Sequence, residues 1–178
     1  MDHRRDLVIR MALPGDARRL AEINHAAWVE AYGDIFSATL LAKEAEEDAV
    51  TTTASMWAER LSVPSADPGM TTLVAEDDGK VVGWIRVGPS HDDADSGEVH
   101  GIYVDPDRWG GRIGTGLMEA GLEILRSSGF STGVLWVLED NRRARRFYER
   151  VGWSSDGTIR HSGFDGELAM ETRYRREL

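Results

Sequence analysis

The sequence predicts a single α/β domain whose central sheet is mixed, mostly antiparallel and flanked by helices. Three observations point there. Residues 71–87 read as a β-hairpin. An apolar run at 99–104 leads through a glycine-rich turn into a helix and then a second apolar run. The 178 residues suit one domain with one sizeable core, so residues 1–178 are treated as a unit.

Residues 7–11 form the first strand, and Pro14-Gly15-Asp16 turns the chain into a helix starting at Pro14 or Asp16. On that helix Leu20, Ile23, Ala27 and Ala31 recur at helical spacing beside charged Arg18, Arg19 and Glu22. Trp28 and Tyr32, four residues apart, occupy the neighbouring face and either pack in the core or wall a substrate pocket. Residues 37–61 give a short and a longer helix. Asp48 or Thr51 caps the second, and Met56, Trp57 and Leu61 face inward. A loop covers residues 64–69. Strands at 71–76 and 81–87 then flank Asp77-Asp78-Gly79-Lys80, where Gly79 supplies a turn dihedral that other residues resist.

The strand at 99–104 ends at Asp105-Pro106, because proline has no N–H to give a ladder. Gly110, Gly111, Gly114 and Gly116 follow, and a helix begins near Arg112 or Ile113. Its first turn leaves backbone N–H groups without intrahelical partners. Such a turn can seat a phosphate or pyrophosphate without a metal. Gly114, Gly116 and Gly121 can equally be close-packing positions against a sheet. No Gly-Lys-Ser/Thr follows, which argues against a P-loop, and the order Gly-x-Gly-x-x-Gly is absent between strand and helix. The helix carries Ile113, Leu117, Ala120 and Ile124 inward and ends at Ser128-Gly129. Residues 134–138 are almost wholly apolar, as expected of a strand covered on both faces. The unit is therefore βαβ with parallel strands.

Asn141 caps the next helix, residues 142–150, whose inward stripe is Ala144, Phe147, Tyr148 and Val151. Arg142, Arg143, Arg145, Arg146 and Arg150 against Glu149 make a local patch of +4 in a chain of formal charge −10. The patch is either a solvated face or an attractor for a polyanionic ligand already held by the glycine turn.

With 21 basic and 31 acidic side chains, the composition disfavours nucleic acid and anionic membrane as partners. The absence of cysteine excludes disulfides, thiolate catalysis and cysteine zinc sites. The N-terminal residues lack an apolar signal region and no run reaches membrane-spanning length, so a cytoplasmic location is expected.

Three side chains carry candidate chemistry. Tyr148 can donate a proton to a departing anion, its free pKa being about 10. Glu98 and His100 alternate with Val99, so both face one way and can take a proton from an amine, directly or through water. As a metal-ligand fragment this pair lacks a third ligand at useful spacing, and no metal is predicted.

Three stretches resemble the GCN5-related N-acetyltransferase family, which moves acyl groups from coenzyme A to amines. They are residues 102–106 (IYVDP), 108–118 (RWGGRIGTGLM) and 135–153 (LWVLEDNRRARRFYERVGW), in order, within a match over nearly the full chain. The resemblance implies a GNAT-like sheet that splays between its fourth and fifth strands, with acetyl-CoA entering the gap. Backbone groups of Ile102, Tyr103 and Val104 would pair with the pantetheine arm or steady the oxyanion. The turn from Trp109 and Gly110 through Gly111, Arg112, Ile113, Gly114, Thr115 and Gly116 would hold the pyrophosphate. Asn141 would meet the arm near the thioester, with Ala144 and Arg146 alongside, and Tyr148 would protonate the thiolate. Glu98 is the candidate base, and Trp28, Tyr32 and His100 are the candidate acceptor-site residues. This chain departs from the family in having Trp109 where Gln or Arg is usual. It also has Arg112 where glycine is frequent, which places a side chain at the mouth of the seat. The expected reaction is direct attack by the amine of a small molecule or peptide on acetyl-CoA, by a chain able to form a homodimer. An acyl-CoA-binding module with little turnover is the alternative.

Overall fold

A computed structural model describes residues 7–62 and 69–178. In chain order its elements are β1 (Val8–Met11), α1 (Ala17–Tyr32), α2 (Ala38–Glu44), α3 (Glu47–Ser62), β2 (Thr71–Asp77), β3 (Lys80–Pro89) and β4 (Gly97–Val104). Then come α4 (Ile113–Ser127), β5 (Thr132–Leu138), α5 (Arg142–Arg150), β6 (Ser154–Phe164) and β7 (Glu167–Glu177). Short 3-10 turns at Pro14–Asp16 and Pro106–Arg108 introduce α1 and the glycine turn.

The strands form one sheet in the order β1-β2-β3-β4-β5-β7-β6. Every neighbouring pair is antiparallel except β4–β5. That parallel pair is joined only at Gly97↔Gly133 and Glu98↔Val134. Beyond those two rungs the strands part, so the splay expected between strands four and five is present. The β2–β3 hairpin closes in two residues, Asp78 at φ 50° and Gly79 at φ 74°. Both, not glycine alone, take the left-handed shape that suits the twist of a tight hairpin.

Alternation along the strands divides the core. Leu73, Ala75, Ile85 and Val87 face α4, meeting Leu117, Met118, Leu122 and Leu125. Val74 and Trp84 face the other way, onto Leu20 and Ile23 of α1 and Trp57 of α3. Gly121 lets α4 approach: a Cβ there would lie 2.7 Å from Ile85 Cδ1 and 3.1 Å from Val87 Cγ1. The packing role expected for this glycine is therefore the operative one. Met56, expected to face inward, is exposed on α3 while Trp57 is buried; one residue along a helix turns the side chain by about a quarter-circle. The loop expected at 64–69 lies outside the described residues up to position 68.

Two residues of α1 tie it to its neighbours by polar contacts. Arg19 of α1 donates to Val81 O at 2.9 Å and bonds Asp105 at the end of β4. Buried His25 joins α1 to the end of α2 and to α3, through Glu44 O at 2.7 Å and Thr53 Oγ1 at 2.9 Å.

Candidate active site

The parted ends of β4 and β5 open a cleft of about 760 Å³. Its floor is the β4 edge. Asp105 N–H donates to Val82 O at 2.9 Å, and strand hydrogen bonds alternate sides, so the main-chain groups of Ile102 and Val104 face the gap. Val104 O already accepts the Trp109 indole N–H at 2.7 Å. Ile102 retains its amide edge for a ligand.

At one end lies the glycine turn. Gly110 has φ +83°, and a Cβ built there would meet nothing within 4 Å among the described residues. Gly111 meets only Arg108 O, at 3.5 Å. These two leave open space above the first turn of α4, where Arg112 is the cap and makes no side-chain cap bond. At Gly114 and Gly116 a Cβ would instead meet Phe147 at 3.4 Å and Ile9 Cδ1 at 3.3 Å.

The other end is built by α5. Asn141 is buried and caps that helix, its Oδ1 accepting from Ala144 N at 3.0 Å. The arginine patch divides by helical position. Arg143 stacks over Trp109, its guanidinium carbon 3.4 Å from the ring centroid, and burial lowers its pKa. Arg146 and Arg150 line the cleft, whereas Arg145 turns back to Glu139 O and the Tyr174 hydroxyl.

Three phenols converge in the cleft. Burial raises the Tyr148 pKa well above the ordinary tyrosine value, with the neighbouring Tyr32 adding to it. Burial and the nearby Tyr32 and Tyr148 do the same to Tyr103. Burial also raises Tyr32, with Glu171 adding to the shift and the Asn141 side chain opposing it. The value near 10 expected for Tyr148 is therefore displaced upward by desolvation. Tyr148 is a neutral donor throughout the physiological range.

Glu98 and His100 meet, but not as strand alternation predicts. Val87↔Val99 is followed by Arg86↔Gly101, so His100 is an extra residue, a β-bulge in β4. The bulge brings the His100 ring to the cleft while Glu98 stays buried behind it. His100 Nδ1 lies 3.5 Å from Glu98 Oε1, and Glu98 Oε2 accepts from Ser90 Oγ at 2.8 Å. His100 Nε2 donates to Pro89 O at 3.0 Å. Burial lowers the His100 pKa below its ordinary value, and Glu98 opposes that shift.

Trp28, Tyr32, His100, Ile102, Tyr103, Val104, Trp109, Gly110, Gly111, Gly114, Thr115, Asn141, Ala144, Arg146 and Tyr148 thus share one cleft. Glu98, Arg112, Ile113 and Gly116 lie outside its lining. The lining also takes in Arg108 and Trp136, which lie in the family-like stretches without an assigned role, and Phe164 and Glu171 of the β6–β7 hairpin. Glu171 is held by Arg160 Nε at 2.7 Å and by Ser162 Oγ. Phe164 packs on Phe36 and Trp28, at 5.0 and 6.5 Å between ring centroids. No local motif marks Phe164 or Glu171, which reach the cleft through the pairing of β7 with β5 and β6.

A sheet that parts between two parallel strands beside a glycine turn defines an α/β protein with an open inner strand edge. Residues 22–153 match the acetyltransferase (GNAT) family, and the chain belongs to that family. Mycothiol acetyltransferase of Stackebrandtia nassauensis is 35% identical over 159 residues, covering 84% of this chain and 46% of the relative. The chain spans less than half the length of the curated relatives it matches. Among solved structures, PaiA N-acetyltransferase from Thermoplasma acidophilum in complex with coenzyme A superposes with TM-score 0.75 at 19% identity, covering 97% and 99% of the two chains. The structure of yncA from Salmonella typhimurium with its cofactor acetyl-CoA gives TM-score 0.69 at 18% identity, covering 97% and 94%. No helix among the described residues is long and apolar enough to cross a membrane.

Proposed function

We propose that this chain is an acetyl-CoA-dependent N-acetyltransferase acting on a primary amine of a small molecule or peptide. The observation that carries the reading is the cleft itself. An unpaired β4 edge runs between an open glycine turn at one end and Asn141 with Tyr148 at the other. The fit is specific: Gly110 and Gly111 leave room where a Cβ would otherwise stand, and Ile102 presents main-chain groups that no neighbouring strand takes. The coenzyme A and acetyl-CoA held by PaiA and yncA on this fold point the same way.

Each residue then has a task. First-turn amides of α4 and the amides of Gly110 and Gly111 grip the pyrophosphate, with Arg146 adding charge. Ile102 and the Val104 amide hold the pantetheine arm. Asn141 fixes its far end. Acetyl-CoA supplies the activated acyl group as a thioester. The acceptor nitrogen forms the new C–N bond as the C–S bond breaks. The amine's proton leaves through His100, with Glu98 behind it, and Tyr148 offers its phenolic proton to the sulfur. The chain contains no cysteine to carry the acyl group, in keeping with direct transfer.

Incubation of the protein with acetyl-CoA and an amine panel tests this, read both as free thiol and as acetylated product by mass spectrometry. Thiol released in step with an N-acetyl product is expected. Saturable coenzyme A binding with no thiol release from any amine would overturn the enzyme reading and leave an acyl-CoA-binding module.

A further inference from the structure

A second cavity, of about 350 Å³, lies on the α1–α3 side of the sheet and shares two residues, His100 and Tyr103, with the cleft. Its lining is basic and aromatic. Arg60 of α3 reaches over the Trp57 ring, 5.7 Å from its centroid, and Arg86 of β3 reaches the same ring at 5.8 Å. Arg86 is also anchored, donating to Thr72 Oγ1 at 3.1 Å. His91 stands at the rim with its ring 5.0 Å from that of His100. Among the described residues, no carboxylate lines this cavity. In a chain of formal charge −10 that concentration of donors is a departure from the average surface.

Two of the donors are unspent. Among the described residues, neither Arg60 nor Asn24, the α1 residue facing into the cavity, makes a side-chain hydrogen bond or ion pair. A guanidinium steadied on an indole, an amide opposite and imidazoles at the rim match a planar carboxylate, which accepts from several N–H groups at once. The acetyl-accepting nitrogen, by contrast, must lie in the cleft, which adjoins this cavity across His100 and Tyr103.

We propose that the second cavity seats the carboxylate of the acceptor, so that the amine acetylated belongs to a small amino carboxylate. The proposal rests on the acetyltransferase reading for its kinetic arm but not for its binding arm. The carboxylate lies against Arg60 and Asn24, and the amine passes His100 and Tyr103 into the cleft. This assigns specificity to α3 and β3, away from the donor site.

The kinetic arm compares an amino acid with its amide and its decarboxylated amine. The carboxylate form is expected to be preferred by about tenfold or more in kcat/KM, the range of a charge-assisted hydrogen bond. Arg60→Gln, on an exposed helix position, is expected to raise KM for the carboxylate form by about tenfold, with kcat and the neutral amines unchanged. The binding arm titrates a simple monocarboxylate lacking an amine against the fluorescence of Trp57 and Trp84, which line the cavity. Saturable quenching that is lost in Arg60→Gln is expected. Equal use of carboxylate and amide, with Arg60→Gln silent, overturns the proposal. If no amine releases thiol, the enzyme reading fails and the binding arm decides: Arg60-dependent quenching supports the subsite, and its absence removes it.

Discussion

The two halves of this site are made of different material. The donor half, along β4 and the glycine turn, is mostly backbone: an unpaired strand edge, two glycines in open space and a helix N-terminus. The acceptor half, toward α1, α3 and the β6–β7 hairpin, is almost entirely side chain. It is assembled from Trp28, Tyr32, Phe164 and Glu171 on one flank and from Trp57, Arg60 and His91 on the other. Main-chain recognition constrains only shape, so it needs glycine where a Cβ would intrude and a strand that stops pairing. Side-chain recognition can be rewritten one residue at a time without disturbing the sheet. On the proposed reading, the shared chemistry lies in the first half and the choice of amine in the second.

The sharpest break comes from Tyr148. Its phenol lies in the cleft, and burial keeps it protonated. Tyr148→Phe is expected to lower kcat by about a hundredfold or more, the scale of a lost general acid, with little change in acetyl-CoA affinity. Stopped-flow or steady-state thiol release checks the first part, and calorimetry with coenzyme A the second. Unchanged turnover would remove the acid role.

Next in size is a contrast between two glycines. Gly121→Ala pushes a methyl group against Ile85 and Val87 and is expected to cost about 1–3 kcal/mol of stability, with coenzyme A affinity retained. Gly110→Ala meets no atom of the described residues within 4 Å but must hold φ +83°, at a cost of about 1–2 kcal/mol, and is expected to weaken coenzyme A binding. Urea unfolding and calorimetry on both variants separate packing from seating. A loss of affinity at Gly121 without a loss of stability would erase the distinction.

The same division explains what could be read in the sequence. Pro106, the glycines at 110 and 111, and the apolar run at 134–138 are local signals, and the βαβ unit follows from them; its splay was implied by the family resemblance alone. Asn141 was legible as a cap because Asn before a helix has one common use. Trp57 was legible as inward-facing but not as the platform for Arg60 and Arg86, since that needs α3 laid against β3. The bulge at His100 left no mark either: β4 carries His100 as an extra residue opposite Arg86 and Val87 of β3, which alternation along one strand does not foresee. For that reason Glu98, expected at the site, lies behind it. Glu171 became visible only once β7 had paired with β5.

A smaller effect tests the charge on α5. Arg146 lines the cleft, and Arg145 is committed to Glu139 and Tyr174. Arg146→Glu is expected to weaken coenzyme A binding by about tenfold, and Arg145→Gln to leave it unchanged. The loss shrinks with dephospho-coenzyme A if Arg146 meets the 3′-phosphate and persists if it meets the pyrophosphate. Equal effects of the two variants would mean that only net charge matters.

The finest test concerns which half owns the proton. His100 touches both cavities, and it must be neutral to accept a proton from the amine. Its pKa is lowered first by burial, with His91 and Arg86 pushing the same way and Glu98 and Pro89 O pushing back. The acid limb of kcat/KM is therefore expected below the ordinary histidine value, activity being lost as pH falls through the depressed pKa. Glu98→Gln removes a carboxylate that favours the imidazolium, so the limb moves to lower pH. His91→Gln removes an opposing charge, so the limb moves up. Opposite displacements would fix His100 as the acceptor and Glu98 as the residue that tunes it. Abolition of activity by Glu98→Gln, with the limb unmoved by His91→Gln, would return the proton to the carboxylate.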